Sequence, residues 1–201
     1  MKVLLLDLDN TLVDRDAALL QWLRGVLPSH ARMSSTFEAL IACDGGGHGC
    51  KTTFFEAVAR YTGSTVALVR ERFRRELPEL VRLKRDADVM LREFPGTTIV
   101  VTNGSGAMQR RKLASAGLEG RVSHVLVSEE CGLRKPSADI FRLALELAGC
   151  DADGALMVGD HPEQDIEGAR AAGIDGVLVR TRWFDAPAGV KQVRALTELA
   201  W

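Results

Sequence analysis

The sequence predicts an α/β protein: a doubly wound parallel sheet interrupted near its start by an inserted block of helices. Three observations lead there. From "TTIVVTNG" (97–104) onward, short β-branched apolar runs alternate with helical stretches, the pattern of strands joined by helical crossovers. One further apolar run, Lys2–Leu6, stands far upstream, separated from the rest by residues 15 to 94, where apolar residues recur every three or four positions, the period of a helix face. Several apolar runs also end in Asp, Thr, Asn or Gly. In an open parallel sheet, ligands bind at those carboxyl ends, beside the switch in strand order.

The elements follow in order. Lys2–Leu6 is the first strand. The helical block reads "AALLQWLRGVL", "STFEALIAC", "TTFFEAVARYTG", "TVALVRERFRREL" and "ELVRLKRDADVMLREF". Gly63 is expected to stop one helix and Ser64 to cap the next. Pro28, Pro78 and Pro95 punctuate the block. After Gly96 come a strand in "TTIVVTNG", a helix "QRRKLASAG" closed by Gly117, and a strand in "HVLVSEE". The helix "SADIFRLALELAG", the strand "GALMVGD", the helix "PEQDIEGARAAG" and the strand "GVLVR" complete the alternation, and "VKQVRALTELA" is expected to end the chain as a helix. The expected domains are 1–13 with 94–201, and the helical insertion 14–93.

Composition narrows the function. The 201 residues are 46% hydrophobic and 26% charged, with a net charge of -1. That balance favours neither nucleic acid nor an anionic membrane as a partner. No apolar run approaches the ~20 residues that span a bilayer. Val3–Leu6, cut by Asp7, is too short for a signal-peptide core. The expectation is a cytoplasmic protein, monomer or homodimer, acting on a small molecule. Cys43, Cys50, Cys131 and Cys150 form no CxxC pair and are read as free thiols. Cys43, His48 and Cys50 lack a fourth ligand and match no common zinc spacing.

The strand ends carry the chemistry. The first delivers Asp7 and Asp9, the second Thr102, Asn103 and Gly104, and the fourth Asp160 with Asp165 on the following turn; Lys135 lies just ahead of a helix. Crowded carboxylates repel, and repulsion drives some toward protonation. Magnesium relieves this, since it accepts a few carboxylates and contacts substrate phosphate. Side chains two apart on a strand share a face, so Asp7, Asp9 and Asp160 form the expected metal cradle. The Thr102 hydroxyl, the Asn103 and Gly104 amides and Lys135 are expected to bind phosphate. One carboxylate then serves as nucleophile, another as proton donor.

These residues together resemble the haloacid dehalogenase superfamily. "DLDNT" (7–11) matches its DxDxT motif, and "VVTNG" its strand-end Thr at Thr102. "RKP" matches its Lys at Lys135, and "GDHPEQD" its GDxxxxD motif at Asp160 and Asp165. The motifs occur in order and cover a Rossmann-like core, roughly 1–13 and 94–201. The resemblance implies a magnesium-dependent phosphatase acting on a small phosphomonoester. Asp7 would attack phosphorus to form an aspartyl-phosphate. Asp9 would protonate the leaving oxygen, activate water, and ligate magnesium through its backbone carbonyl. Thr102 and Lys135 would hold the phosphoryl oxygens. Asp160 would ligate magnesium, and Asp165 would support the site. Members that cleave carbon–halogen bonds lack the second Asp of the first motif, so Asp9 favours phosphatase chemistry. The insertion resembles the helical cap of subfamily I. The "DNT" form is similar to members acting on nucleoside monophosphates or sugar phosphates. The alternatives are a phosphosugar mutase of the same superfamily and a non-catalytic phosphate-binding or interaction protein.

Three other stretches have simpler readings. "GGGHGCKT" (45–52) resembles a phosphate-binding P-loop, but Cys50 replaces its second Gly. It is read either as a loop of the cap from which His48 or Lys51 contacts substrate or as a plain glycine-rich turn. The basic run 70–85 is interleaved with Glu71, Glu76 and Glu79 and reads as a solvated helix face. Trp183 and Phe184 are expected to pack rather than bind ligand.

Overall fold

The computed structural model describes residues 1–32 and 35–200. The chain forms two compact units, 1–13 with 83–201, and 14–82.

The first unit is built on a six-stranded sheet. Its strands are β1 (Val3–Leu6), β2 (Thr97–Thr102), β3 (His124–Val127), β4 (Ala155–Gly159), β5 (Asp175–Val179) and β6 (Lys191–Val193). They run in the order β3-β2-β1-β4-β5-β6, and every neighbouring pair is parallel. Central strands covered on both faces are apolar throughout; accordingly all of Val3–Leu6 is buried. On one face Val3, Leu5, Ile99, Val101 and Met157 pack against Ile140, Phe141 and Ala144 of the helix Ala138–Ala148. The order reverses at the β1–β4 pair, which sets the carboxyl ends of these two strands side by side.

The fold corrects the sequence reading in three places. The chain end is a strand, not a helix. Val190, Val193, Leu196 and Leu199 recur every three residues, which imitates a helix face. Pairing with the edge of β5 prevails, and Arg180 N–H bonds the Val193 carbonyl at 2.8 Å. Leu196–Glu198 is only a 3-10 turn. The segment "PEQDIEGARAAG" opens as a π-helical turn, Pro162–Glu167, before a short α-helix at Gly168–Arg170.

The third correction moves the boundary at residue 93. The stretch "ELVRLKRDADVMLREF" is not one helix. Val66–Leu80 ends two residues after Pro78, and a new helix starts at Arg85 and runs to Glu93. Between them Leu83 bridges to Val13, and Lys84 N–H bonds the Leu12 carbonyl at 2.9 Å. Asp86 then accepts from Leu196 N–H at 2.8 Å. Arg85–Glu93 thus belongs with the sheet, and its helical period could not distinguish it from the helices before it.

The second unit comprises Arg15–Val26, Ser29–Arg32, Ser35–Asp44, Lys51–Thr62 and Val66–Leu80. Its core is aromatic: Trp22 and Phe73 meet edge to face at 5.1 Å, with Phe54 and Phe55 against Phe73. Edge-to-face pairs add to area burial by favourable quadrupole contact. Thr65, not Ser64, caps the last helix, because Ser64 N–H still closes the previous one on the Ala59 carbonyl.

The glycine-rich segment is folded around a buried ion pair. Asp44 is fully buried and takes both Arg15 guanidinium nitrogens, at 2.6 and 2.9 Å, and Lys51 Nζ at 3.0 Å. Gly47 lies against the guanidinium, and a Cβ on Gly49 would sit 2.0 Å from the Cys43 carbonyl oxygen. The glycines are therefore required by close approach, not by a phosphate. Burial opposes the Asp44 charge, but Arg15 and then Lys51 overcome it and hold its pKa down at about 2.

Removing one partner of a buried pair strands the other charge, so Asp44→Asn should destabilise the fold by about 3 kcal/mol in urea titrations near pH 7. The folded pKa lies below the unfolded 3.8, so this stabilisation is complete above pH ~4 and fades as pH falls toward ~2. The gap between wild type and variant should close over that window. A gap independent of pH would refute the assignment.

Candidate active site

At the strand-order switch the sheet delivers its acids. Asp7 follows β1 directly, and its N–H extends the ladder to the Val158 carbonyl at 2.9 Å. Asp160 follows β4, and Asp165 returns from the π-helical turn. A Cβ on Gly159 would lie 2.2 Å from Asp165 Oδ2, so only glycine lets that carboxylate in. The second Asp165 anchor is His161 N–H, donated to Oδ2 at 2.9 Å.

Lys135 stands among these acids. Its Nζ donates to Asp7 Oδ1 at 2.7 Å and to Asp165 Oδ1 at 2.6 Å, and the residue is 2% exposed. Its backbone is clamped by the Asn103 side chain: Lys135 N–H donates to Oδ1 at 3.0 Å, and Nδ2 donates to the Lys135 carbonyl at 2.8 Å. Asn103 Nδ2 also donates to Gln164 at 2.9 Å.

The side chains of Asp7, Asp160 and Asp165 converge, with one oxygen of each within 4.8 Å of the others. Asp9 does not join them. β1 ends at Leu6, so strand alternation no longer governs position 9. Asn10 is left-handed at φ 60°, a conformation Asn and Gly adopt most readily, so the chain turns directly after Asp9. The Asp9 carboxylate accepts from Lys112 Nζ at 2.5 Å and from Gln109 Nε2 at 3.4 Å. Of the expected side-chain cradle, Asp7 and Asp160 come together, with Asp165 rather than Asp9 as the third carboxylate.

Burial pushes the Asp7 carboxyl up to about 7; Lys135 pulls it down, and Asp165 pushes it further up. Asp160 is raised well above the ordinary range, by burial and then by Asp7 and Asp165. Lys135 keeps its proton: burial works against it, but Asp165 and Asp7 hold its pKa well above the usual lysine value. Three buried carboxylates facing one ammonium leave two negative charges if all ionise. Asp160 Oδ2 is buried with no hydrogen-bond partner among the described residues. A hard dication with oxygen ligands fits both the charge deficit and the orphaned oxygen.

The phosphate-binding candidates divide. Thr102 is buried, and its Oγ1 accepts from Gln109 Nε2 at 2.6 Å, which leaves the hydroxyl hydrogen to point elsewhere. The Gly104 amide donates to Ser128 Oγ at 3.0 Å. His48 and Lys51 belong to the helical unit, where Lys51 engages Asp44. Trp183 lies under the Arg182 guanidinium at 4.3 Å, and Phe184 packs on the His161 ring at 4.4 Å.

Sequence reasoning missed Gln109 and Lys112. Both lie on the helix Gly106–Ser115 at i,i+3 spacing, so they share a face. The signal was present in "QRRK": two polar residues on the face that continues into buried Leu113 and Ala116.

A family model described as haloacid dehalogenase-like hydrolase matches residues 4–179. A phosphoserine phosphatase of Thermus thermophilus is 34% identical over 89% of this chain and 88% of its own length. The pyrimidine 5'-nucleotidase YjjG of Escherichia coli is 36% identical, over 50% of this chain and 45% of its own. Among solved structures, the HAD-hydrolase YfnB of Bacillus subtilis, bound to magnesium, superposes with a TM-score of 0.76 at 23% identity. That match covers 98% of this chain and 96% of YfnB.

The raised acids make a testable liability. Folded pKa values above the unfolded one mean that stability falls as pH rises past ~4, until the groups ionise. In chelator at pH 8, Asp160→Asn should therefore melt higher than wild type, and the difference should shrink toward pH 5. Added magnesium should raise the wild-type melting temperature and leave the variant nearly unmoved. A wild-type protein indifferent to magnesium would count against the dication.

Proposed function

The chain belongs to the haloacid dehalogenase-like hydrolases and is a phosphoric monoester hydrolase of that family; we propose that its reaction requires magnesium and passes through a phosphoryl group carried on Asp7. The observation that carries this reading is the Asp7 carboxylate, 2.7 Å from Lys135 Nζ and grouped with Asp160 and Asp165. Asp7 and Asp160 would hold the ion with Asp165 in support, and the family resemblance adds the Asp9 carbonyl. The bound ion would supply positive charge beside the acids and the phosphoryl oxygens.

The chain's own groups then divide the work. Asp7 attacks phosphorus, and the bond from phosphorus to the ester oxygen breaks. Asp9 gives its proton to that oxygen, and the alcohol leaves. Water attacks the phosphoryl group, Asp9 takes the proton back, phosphate departs and Asp7 is regenerated. Lys135 and the Thr102 hydroxyl neutralise and orient the phosphoryl oxygens, where preorganised donors contribute most. The carboxylate at Asp9, with its neighbouring donors, gives the leaving oxygen an acid that carbon–halogen cleavage does not need.

The substrate is proposed as a small phosphomonoester, with phosphoserine, nucleoside monophosphates and sugar phosphates as the first classes to try. The choice among them is assigned to the helical unit, with His48 and Lys51 as its candidate contacts. The setting is proposed to be the cytoplasm.

Phosphate release should be measured from 4-nitrophenyl phosphate, phosphoserine, nucleoside monophosphates, sugar phosphates and phosphoglycolate, with magnesium and with chelator. Release should require the metal, and Asp7→Asn should lower kcat by at least about 10³-fold, as loss of a nucleophile does. Release that survives chelation, or an active Asp7→Asn, would overturn the proposal. Isomerisation of a sugar phosphate with little release would favour a mutase instead.

A further inference from the structure

We infer that Lys112 is a positioning residue for the leaving-group proton: it selects the one placement of the Asp9 carboxylate from which that proton can be delivered. The inference rests on Asp9 acting as the general acid.

Four facts support it. Lys112 is 4% exposed, and a lysine that deep requires a carboxylate partner. Its Nζ lies 2.5 Å from Asp9 Oδ2, across 103 residues of sequence. The adjacent Arg110 takes the opposite course and pairs with exposed Glu130 on the surface, so only part of the basic run turns inward. Gln109, one turn earlier, reaches Asp9 at 3.4 Å and Thr102 Oγ1 at 2.6 Å. One helix face therefore registers the Asp9 carboxylate against the Thr102 hydroxyl.

The reason Asp9 needs such a partner is local. It lies beyond β1, just before left-handed Asn10, in a turn that runs on to Leu12. Strand alternation does not fix its side chain, whereas Asp7 is fixed by the ladder to Val158 and by Lys135. A misplacement of about 1 Å in a reacting group costs up to ~10²-fold in rate. Lys112 removes that freedom. It touches neither phosphorus nor ester oxygen in this account, and acts through Asp9.

A purely structural lysine would affect all substrates alike. A lysine that places the acid would matter most where the leaving group needs a proton. 4-Nitrophenolate leaves without one; an alkoxide does not. The test compares kcat/KM of wild type, Lys112→Met, Lys112→Gln, Lys112→Arg, Asp9→Asn and Asp9→Asn/Lys112→Met. Each is assayed with magnesium on 4-nitrophenyl phosphate and on the best alkyl phosphomonoester, after circular dichroism and melting confirm the fold. Lys112→Met should lose at least about tenfold more on the alkyl ester than on the aryl ester, within the range of general acid catalysis. Lys112→Gln should show the same preference more weakly, so a misfolded Met variant would still leave a reading. Lys112→Arg should restore most alkyl-ester activity, and the double variant should be no worse than Asp9→Asn. Equal losses on both esters, no loss in either neutral variant, or additive losses in the double variant would overturn the inference. If Asp9→Asn itself affects both esters equally, the acid role of Asp9 fails, and with it the basis for this role of Lys112.

Discussion

The Lys135 ammonium, held between Asp7 and Asp165, is the interaction on which the site depends. It joins three segments that are distant in sequence: the end of β1, the stretch after β3 and the turn after β4. Everything nearby serves that convergence. Asn103 clamps the Lys135 backbone, and Gly159 makes room for Asp165. The β1–β4 ladder brings Asp7 beside Asp160. Buried ion pairs contribute little net stability and often cost some. What this one contributes is a fixed, ionisable carboxylate at the strand-order switch.

Charge balance extends the same logic. Asp7, Asp9, Asp160 and Asp165 face Lys112 and Lys135. Four acids against two ammonium groups leave a deficit that one dication closes. Burial, with repulsion from neighbouring carboxylates, raises the acids at Asp7 and Asp160. The helical unit faces a different constraint: its buried acid, Asp44, is satisfied by Arg15 and Lys51 and is held low. The carboxyls of Asp7 and Asp160 are thus displaced upward and that of Asp44 downward, according to whether protein cations match them.

Much of this was legible in the sequence because strand ends are local features. Asp7, Thr102 and Asp160 could each be placed by an apolar run and the polar residues that stop it, Asp165 by the turn that follows, and Lys135 by the helix it precedes. What escaped was set by tertiary contact. Asp9 left its expected place because β1 ends at Leu6. Lys112 and Gln109 escaped because a polar helix face reads as solvated until something is packed on it. The strand Lys191–Val193 escaped because a three-residue apolar spacing imitates a helix, and the unit of Arg85–Glu93 escaped because a helical period does not say what the helix packs on. In the glycine-rich loop, the glycines answer to backbone approach around Arg15 and Asp44, which no spacing rule expresses.

The most direct test is to trap the intermediate. Enzyme turning over a good phosphomonoester with magnesium would be quenched in acid, digested and mapped by mass spectrometry. A phosphoryl group is expected on the peptide bearing Asp7, lost on treatment with hydroxylamine and absent from Asp7→Asn. A phosphoryl group on another residue, or rapid turnover with no trapped species and label passing directly to water, would contradict Asp7 as the nucleophile.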